Sequence, residues 1–221
     1  MSELLAELFS SRVRSAVLAL LLPRPHLAFS LTDMSRRLGL PVSSLQHECY
    51  KLTRLGLLRD ERRGNARLYA PDAAWPLLEP LTALVVRALP VETVLSAAIE
   101  RIEGLTAVWL AGGLRSPKDP VYLVVIGSVD IETLDGIVAR VRIAVAPAET
   151  GSRLEVAYFR PADWSRRFAT RDGFAASLAA GERVLPDGMG SEALAALQSS
   201  AATPDGMAPV RQSEPRRSRS G

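Results

Sequence analysis

The stretch of sequence that decides the fold covers residues 31–71 and reads LTDMSRRLGLPVSSLQHECYKLTRLGLLRDERRGNARLYAP. A short helix is predicted over residues 31–38, because Ser30 is a good N-cap residue and Gly39 favours the left-handed turn that ends a helix. Beyond that glycine, a second helix is predicted over residues 41–55. The pattern therefore indicates two helices joined by a tight turn.

A β-hairpin is predicted directly after the second helix. Two strand candidates, residues 57–61 and 66–70, flank a connection that contains Gly64 and Asn65. This pair has the backbone freedom that a tight hairpin turn requires. The segment therefore predicts a helix-turn-helix followed by a hairpin.

The residues upstream complete a compact unit. Apolar residues at helical spacing predict one helix over residues 3–22, followed by a connector with a single strand bridge near Phe29. At the start of the helix over 41–55, Ser43 and Gln46 have the spacing of a capping box. Helix, helix, turn, helix and hairpin, in this order, predict a winged helix-turn-helix DNA-binding domain over residues 1–72.

Side chains of the helix predicted over 41–55 divide into an apolar stripe and a polar face. Apolar residues recur at intervals of three and four, as a core-facing stripe requires: Val42, Leu45, Cys49, Leu52 and Leu55. The residues outside this stripe are polar or cationic: Ser43, Ser44, Gln46, His47, Tyr50, Lys51 and Arg54. Such side chains reach base edges and phosphates when a helix enters the major groove. A solvated helix face is the alternative, and the adjacent turn and hairpin favour DNA binding.

The predicted hairpin and the charge of the first third also point to DNA. Four candidate contact residues lie around the hairpin tip: Arg62, Arg63, Asn65 and Arg67. Arginines there can contact the phosphate backbone or the minor groove, although a charged strand edge can also serve solubility alone. Residues 1–70 hold eleven Lys/Arg and six Asp/Glu, a net charge of +5, in a chain whose total is +3. A basic first third indicates a polyanionic partner.

These residues resemble the winged-helix domain of ArsR-like bacterial and archaeal regulators. The resemblance covers roughly residues 10–72, and the motifs that carry it are LGLPVSSLQHE, LTRLGLL and RRGNARLYAP. It implies that the helix over 43–55 is the recognition helix, that residues 62–67 form the wing, and that the protein is a homodimer on double-stranded DNA. Whether binding represses or activates, and which small molecule or protein acts as effector, stays open.

The rest of the chain predicts a helical linker, a second domain and a tail. Residues 73–104 form a linker or dimerisation region with helices over 76–88 and 91–102. Residues 105–198 predict a small α/β domain, so the whole chain is of the α+β class. Its predicted elements are strands over 106–111, 121–126 and 153–159 and helices over 131–145 and 161–178. The Ser-, Pro-, Gly- and Arg-rich segment 199–221 predicts a disordered basic tail.

The second domain resembles a minimal nucleotidyltransferase of the DNA polymerase beta superfamily, in the stretch AVWLAGGLRSPKDPVYLVVIGSVD over residues 107–130. The resemblance implies a Gly-Ser pair and two Mg²⁺-binding aspartates. This chain instead has Gly112-Gly113 at the pair, and Pro120 and Tyr122 at the aspartate positions. Asp119 is out of register, and Glu155 is the one carboxylate in place. The interpretation is therefore a degenerate domain that is not an enzyme and holds no cofactor. The alternative is a nucleotidyltransferase or toxin–antitoxin component with residual activity.

Metal sensing and membrane attachment are not expected. His47 and Cys49 lie two apart on a helix and so point to different sides, which favours Cys49 as core filler rather than as a metal ligand. The single cysteine is consistent with a reducing cytoplasm. The apolar run over residues 17–22 is too short to span a bilayer, and no signal-peptide cleavage pattern follows it. A cytoplasmic regulator without a membrane partner is therefore expected.

Overall fold

The computed structural model describes residues 3–113, 119–145 and 154–187, and these form an α+β protein with two separate sheets. The elements of the first half of the chain are α1 Glu3–Leu8, α2 Arg12–Leu21, β1 Phe29–Ser30, α3 Leu31–Leu38, α4 Val42–Arg54, β2 Leu58–Arg63, β3 Ala66–Pro71, α5 Leu78–Arg87 and α6 Val91–Ile99. The elements of the second half are β4 Leu105–Gly112, β5 Val121–Gly127, α7 Ile131–Val145, β6 Leu154–Phe159, α8 Pro161–Ala169, α9 Gly173–Ala180 and β7 Arg183–Val184.

The local signals around α3 are confirmed. The Ser30 hydroxyl accepts a hydrogen bond from the Asp33 backbone N–H at 3.1 Å, and Gly39 adopts a left-handed conformation at φ 65°. β1 pairs with β3, which also pairs with β2, in an antiparallel sheet of order β1-β3-β2. The predicted bridge near Phe29 and the predicted hairpin are therefore both present.

The helix predicted over residues 3–22 is wrong as a single element. Ser10 has a left-handed φ of 49°, and Ser11 begins a new helix by accepting a hydrogen bond from the Arg14 backbone N–H. The capping box predicted at Ser43 and Gln46 is also wrong. Pro41 occupies the N-cap and no side chain caps the helix, so Ser43 already lies inside the first turn of α4.

The predicted apolar stripe of α4 is confirmed only in its middle. Leu45, Cys49 and Leu52 are buried in the first core, whereas Val42 is 43% exposed and Leu55 is 60% exposed. Both exposed residues lie at the ends of α4, away from the helices that cover its centre. The core combines residues of α1–α5 with the hairpin: Leu5, Leu18, Leu21, Phe29, Met34, Leu45, Leu57, Tyr69 and Val85.

The second half of the chain forms a four-stranded sheet of order β6-β5-β4-β7. β4 is antiparallel to β5 and β7, whereas β5 and β6 are parallel and are joined through α7. One face of the sheet packs on α8 and α9 around Trp109 and Trp164, whose rings meet edge to face with centroids 5.5 Å apart. The other face packs on α6 and α7 around Leu95, Val125 and Ile137.

After residue 90, two predicted helices require correction and one strand is missing from the prediction. The helix predicted over 161–178 is two helices, because Arg171 has a left-handed φ of 54° and Asp172 caps α9. The short strand β7 was not predicted. The helix predicted over 91–102 ends at Ile99, since Glu100 is extended and Arg101 has φ 58°. The predicted tail, 199–221, lies outside the described residues, within which no helix is both long and apolar enough to cross a bilayer.

Candidate nucleic-acid interface

A groove of about 430 Å³ runs between α4 and the β2–β3 hairpin. Its lining residues are Ser43, Gln46, His47, Tyr50, Thr53, Arg54, Arg67 and Tyr69. Six of these were predicted as DNA contacts, and the structure brings them together on one surface. The groove offers hydrogen-bond donors, acceptors and cations side by side, which is the chemistry that a base edge beside a phosphate requires.

The orientation of α4 is fixed by the side chains on its opposite face. Leu45, Cys49 and Leu52 are buried there, and so is Glu48, which is 4% exposed. Glu48 accepts a hydrogen bond at 2.6 Å from Nε of Arg14 on α2. A buried carboxylate needs such a partner, and removing the partner leaves an uncompensated charge. This ion pair therefore ties α4 to α2 and leaves the polar face of α4 exposed.

On the hairpin, Arg67 and Tyr69 face the groove. Directly opposite residues in an antiparallel pair share a face, so the pairs Asp60–Tyr69 and Arg62–Arg67 lie on this side of the sheet. Nε of Arg67 donates a hydrogen bond at 2.6 Å to Oδ2 of Asp60, and its guanidinium lies 5.7 Å from the centre of the Tyr69 ring. The hydrogen bond from Arg67 lowers the pKa of Asp60. An incoming phosphate would therefore have to share Arg67 with this carboxylate.

Arg63 lies on the other face of the hairpin. It borders a separate hollow that also contains Arg59, Glu61 and Leu68, and its Nε is 3.1 Å from the Glu61 carboxylate. Both Arg62 and Arg63 belong to β2, because the strand continues two residues beyond its predicted end. The structure therefore separates Arg63 from Arg67, although the sequence placed them together at the tip.

The remaining candidate residues surround the groove. Lys51, Arg62 and Asn65 are exposed but do not line it, and Ser44 is half-buried. Gly64 supplies the turn with a φ of 58°. Sequence reasoning missed Thr53 and Tyr69 as lining residues. The alternation of strand side chains was an available signal for Tyr69, because it lies two residues after Arg67 on the same strand.

Cys49 is a neutral thiol in the first core. It is fully buried, and desolvation followed by the nearby Glu48 carboxylate raises its pKa to about 12. Its Sγ donates a weak hydrogen bond to Sδ of Met34 at 3.9 Å. Metal binding needs a thiolate, so this thiol is poorly suited to be a ligand. Within the described ranges, no three His, Cys, Asp or Glu side chains form a group that could hold a metal ion.

The four-stranded sheet carries an aromatic residue where the transferase resemblance implied a carboxylate. Tyr122 lies beside Glu155 in the β5–β6 register and packs edge to face on Phe174. Desolvation, and then the Glu155 carboxylate, raise the pKa of the Tyr122 phenol. Gly113 lies so close to Asp119 that a Cβ at this position would be 2.5 Å from the Cβ of Asp119. This end of the sheet therefore brings Glu155 next to a phenol rather than next to a second carboxylate.

Comparisons with protein-family models, with curated proteins and with solved structures found no match to this chain.

Proposed function

We propose that the protein is a sequence-specific transcriptional regulator that binds double-stranded DNA through a winged helix-turn-helix. In this proposal α4 enters the major groove and the β2–β3 hairpin lies on the phosphate backbone. The observation that carries it is the groove in which the polar face of α4 meets Arg67. A solvated helix face alone would not need a second element that presents a cation beside it.

The packing of α4 supports the same proposal. Base readout requires side chains held in a fixed register, since each specific contact depends on bidentate or single hydrogen bonds of good geometry. The Arg14–Glu48 ion pair and the buried centre of α4 supply that fixed platform. Ser44, Gln46, His47 and Tyr50 are the residues proposed to read bases, whereas Lys51, Arg54, Arg62 and Arg67 are proposed to contact phosphates.

The proposal includes a homodimer on a site with two half-sites, as two-fold symmetric DNA sites require. Exposed leucines on the terminal helix α1, Leu4 at 66% and Leu8 at 55%, support an apolar contact with a second copy. Leu77, which precedes α5, and Leu84, which lies within it, are also exposed. Light scattering after gel filtration of the full chain tests this. Twice the chain mass is expected, and Leu8→Glu should lower it to the mass of one chain.

The second domain is proposed to be non-catalytic. Tyr122 and Pro120 stand where the resemblance implies metal ligands, and phosphoryl transfer depends on metal ions that neutralise developing charge. Incubation with labelled nucleoside triphosphates, Mg²⁺ and cellular RNA or protein should give no incorporation. Label transferred by the natural chain but not by Glu155→Gln would favour the enzyme alternative instead.

The decisive experiment is selection of duplex DNA by the purified full chain from a random library, followed by affinity measurements. One sequence class should be enriched and bound at least 10³-fold more tightly than random duplex at physiological salt. Recovery of unrelated sequences with uniform affinity would contradict sequence-specific regulation. The control variant is Arg166→Ala, which removes an exposed arginine on α8, outside the proposed interface. It should leave both affinities unchanged.

A further inference from the structure

A cavity of about 490 Å³ lies where the first half of the chain meets the four-stranded sheet. It is lined by His26 from the first half, by residues 101–103, by residues 128–130 and by Glu132, Thr133, Gly136 and Arg140 of α7. The volume is in the range of small-molecule sites. It is distinct from the groove on α4 and from the sheet end that holds Tyr122 and Glu155.

The topology of the sheet favours a ligand at this place. β5 and β6 are parallel and connected through α7, and the cavity lies just beyond the carboxyl end of β5, where α7 begins. Ligands of open α/β sheets bind in the crevice outside the carboxyl ends of parallel strands. The start of α7 is itself already capped, because Oδ1 of Asp130 accepts the Thr133 backbone N–H at 2.7 Å. The case for a ligand therefore depends on side chains rather than on the end of this helix.

Arg140 provides the main chemical feature of the cavity. Its Nη2 donates a hydrogen bond at 2.9 Å to the carbonyl oxygen of Ala98, while its Nε is buried and finds no partner in the described part of the chain. No described carboxylate forms an ion pair with it, and desolvation lowers the pKa of its guanidinium. A partly buried cation without an anion is costly, so an anionic ligand would supply the missing partner.

Gly136 makes room for this arrangement. Arg140 folds back along α7 toward the first turn, and a Cβ on Gly136 would lie 3.2 Å from Nη1 of Arg140. Glycine inside a helix is destabilising relative to alanine, so its presence here calls for a reason. Space for the guanidinium is a sufficient one.

Two further basic groups border the cavity. Arg101 is exposed, with a left-handed φ of 58°, and the His26 ring nitrogen Nε2 lies 2.9 Å from the Glu100 carbonyl oxygen. Desolvation lowers the pKa of His26, and the charges of Arg140 and Arg24 lower it further. The carboxylates of Glu103, Asp130 and Glu132 also border the cavity, and all three residues are exposed. Among the lining residues, Arg140 is therefore the one half-buried charge, and the other charged groups are exposed to solvent.

We infer that this cavity binds a small molecule through a phosphate or carboxylate group, which pairs with the guanidinium of Arg140 and lies beside Arg101 and His26. An oxyanion is the matching partner for a planar guanidinium, because the two can form parallel charge-assisted hydrogen bonds. The site needs neither DNA nor catalysis, so it stands independently of the proposed DNA binding.

The test measures thermal unfolding of the full chain in the absence of DNA. Inorganic phosphate and succinate are titrated separately against sodium chloride of equal ionic strength. At ten times its Kd, a bound anion should raise Tm by about 3–6 °C. Which of the two anions saturates tells a phosphate ligand from a carboxylate ligand. A saturable response to either supports the site, and no response beyond chloride from both overturns it.

Three variants assign the response to its residues. Arg140→Gln should abolish the Tm rise, whereas Arg142→Gln, an exposed arginine on the same helix, should retain it. Gly136→Ala would place a Cβ 3.2 Å from Nη1 of Arg140 while it favours the helix, so this variant should fold at least as well and respond more weakly. An unchanged response in Arg140→Gln would refute the assignment.

Discussion

The two faces of the β2–β3 hairpin should contribute differently to DNA binding. Arg67 lies on the face that borders the groove with α4, whereas Arg63 lies on the opposite face beside Glu61. Replacement of Arg67 by alanine should weaken binding to every DNA sequence. Replacement of Arg63 by alanine removes the same charge from the same hairpin and is therefore the matched control.

The expected magnitude follows from counterion release. Each phosphate contact contributes about 0.9 to the slope of log K against log salt, so Arg67→Ala should flatten that slope by about 0.9. When the salt concentration rises from 50 to 200 mM, the natural chain should therefore lose about 3.5-fold more affinity than Arg67→Ala. Arg63→Ala should change the slope by much less.

Asp60 provides a test in the opposite direction. Its carboxylate is 2.6 Å from Nε of Arg67. A phosphate on the far side of that guanidinium, about 6 Å away, is repelled by about 0.7 kcal/mol in water. Asp60→Asn should therefore tighten binding about threefold at low salt for all sequences.

Fluorescence anisotropy with a labelled duplex, at five salt concentrations, measures all three variants. Circular dichroism shows whether each variant is folded. Equal flattening by Arg67→Ala and Arg63→Ala would show that the two faces do not differ. No flattening by either would remove the hairpin from the interface, and weaker binding by Asp60→Asn would refute the role given to its carboxylate.

Three further predictions concern other parts of the molecule. His47→Ala should reduce the preference for the selected site over random duplex by about 1–3 kcal/mol, measured by competition binding, and equal loss on both DNAs would remove α4 as the reader. The Cys49 thiol should resist a thiol reagent at neutral pH until denaturant is added, because its pKa is raised to about 12; rapid reaction of the folded protein would contradict its burial. Glu100→Gln should lower the free energy of unfolding by about 1–2 kcal/mol at pH 7, because Glu100 forms ion pairs with Arg24 and Arg37. The pKa of Glu100 is lowered in the folded state despite desolvation, because both arginines bond it, so this stability is present above the ordinary pKa and is lost as pH falls through the folded one. Urea unfolding of the natural chain and of Glu100→Gln at pH 7 and pH 3.5 should therefore show that the difference in their free energies of unfolding is smaller at pH 3.5. A difference that stays constant would contradict the ion pairing.

The sequence-based prediction succeeded where the signals are local. Ser30, Gly39 and Gly64 each act within a few residues, through a cap, a left-handed stop and a turn, and all three are found in those roles. It failed where ordinary residues adopt the left-handed conformation. Ser10 and Arg171 interrupt two helical patterns at φ 49° and 54°. Neither serine nor arginine is a residue type that predicts a left-handed backbone conformation.

The candidate interface shows the same division between local and long-range information. Helical spacing was enough to find the polar face of α4. The buried Glu48 was not foreseen, because its partner Arg14 is 34 residues earlier in the chain. The faces of Arg63 and Arg67 depend on strand register, which pairs Arg62 with Arg67. The predicted strand ended at residue 61, before Arg62 and Arg63. Register therefore decides which arginine meets the groove.

The two ends of the four-stranded sheet differ in what chemistry they can support. At the end where β5 begins, Tyr122 packs on Phe174 and lies beside Glu155. At the end where β5 finishes, a cavity remains and Arg140 keeps an unpaired buried nitrogen. A half-buried arginine without an ion pair beside a cavity is the feature on which the proposed anion binding rests. We therefore expect ligand binding in the second half of the chain at the α7 end of its sheet.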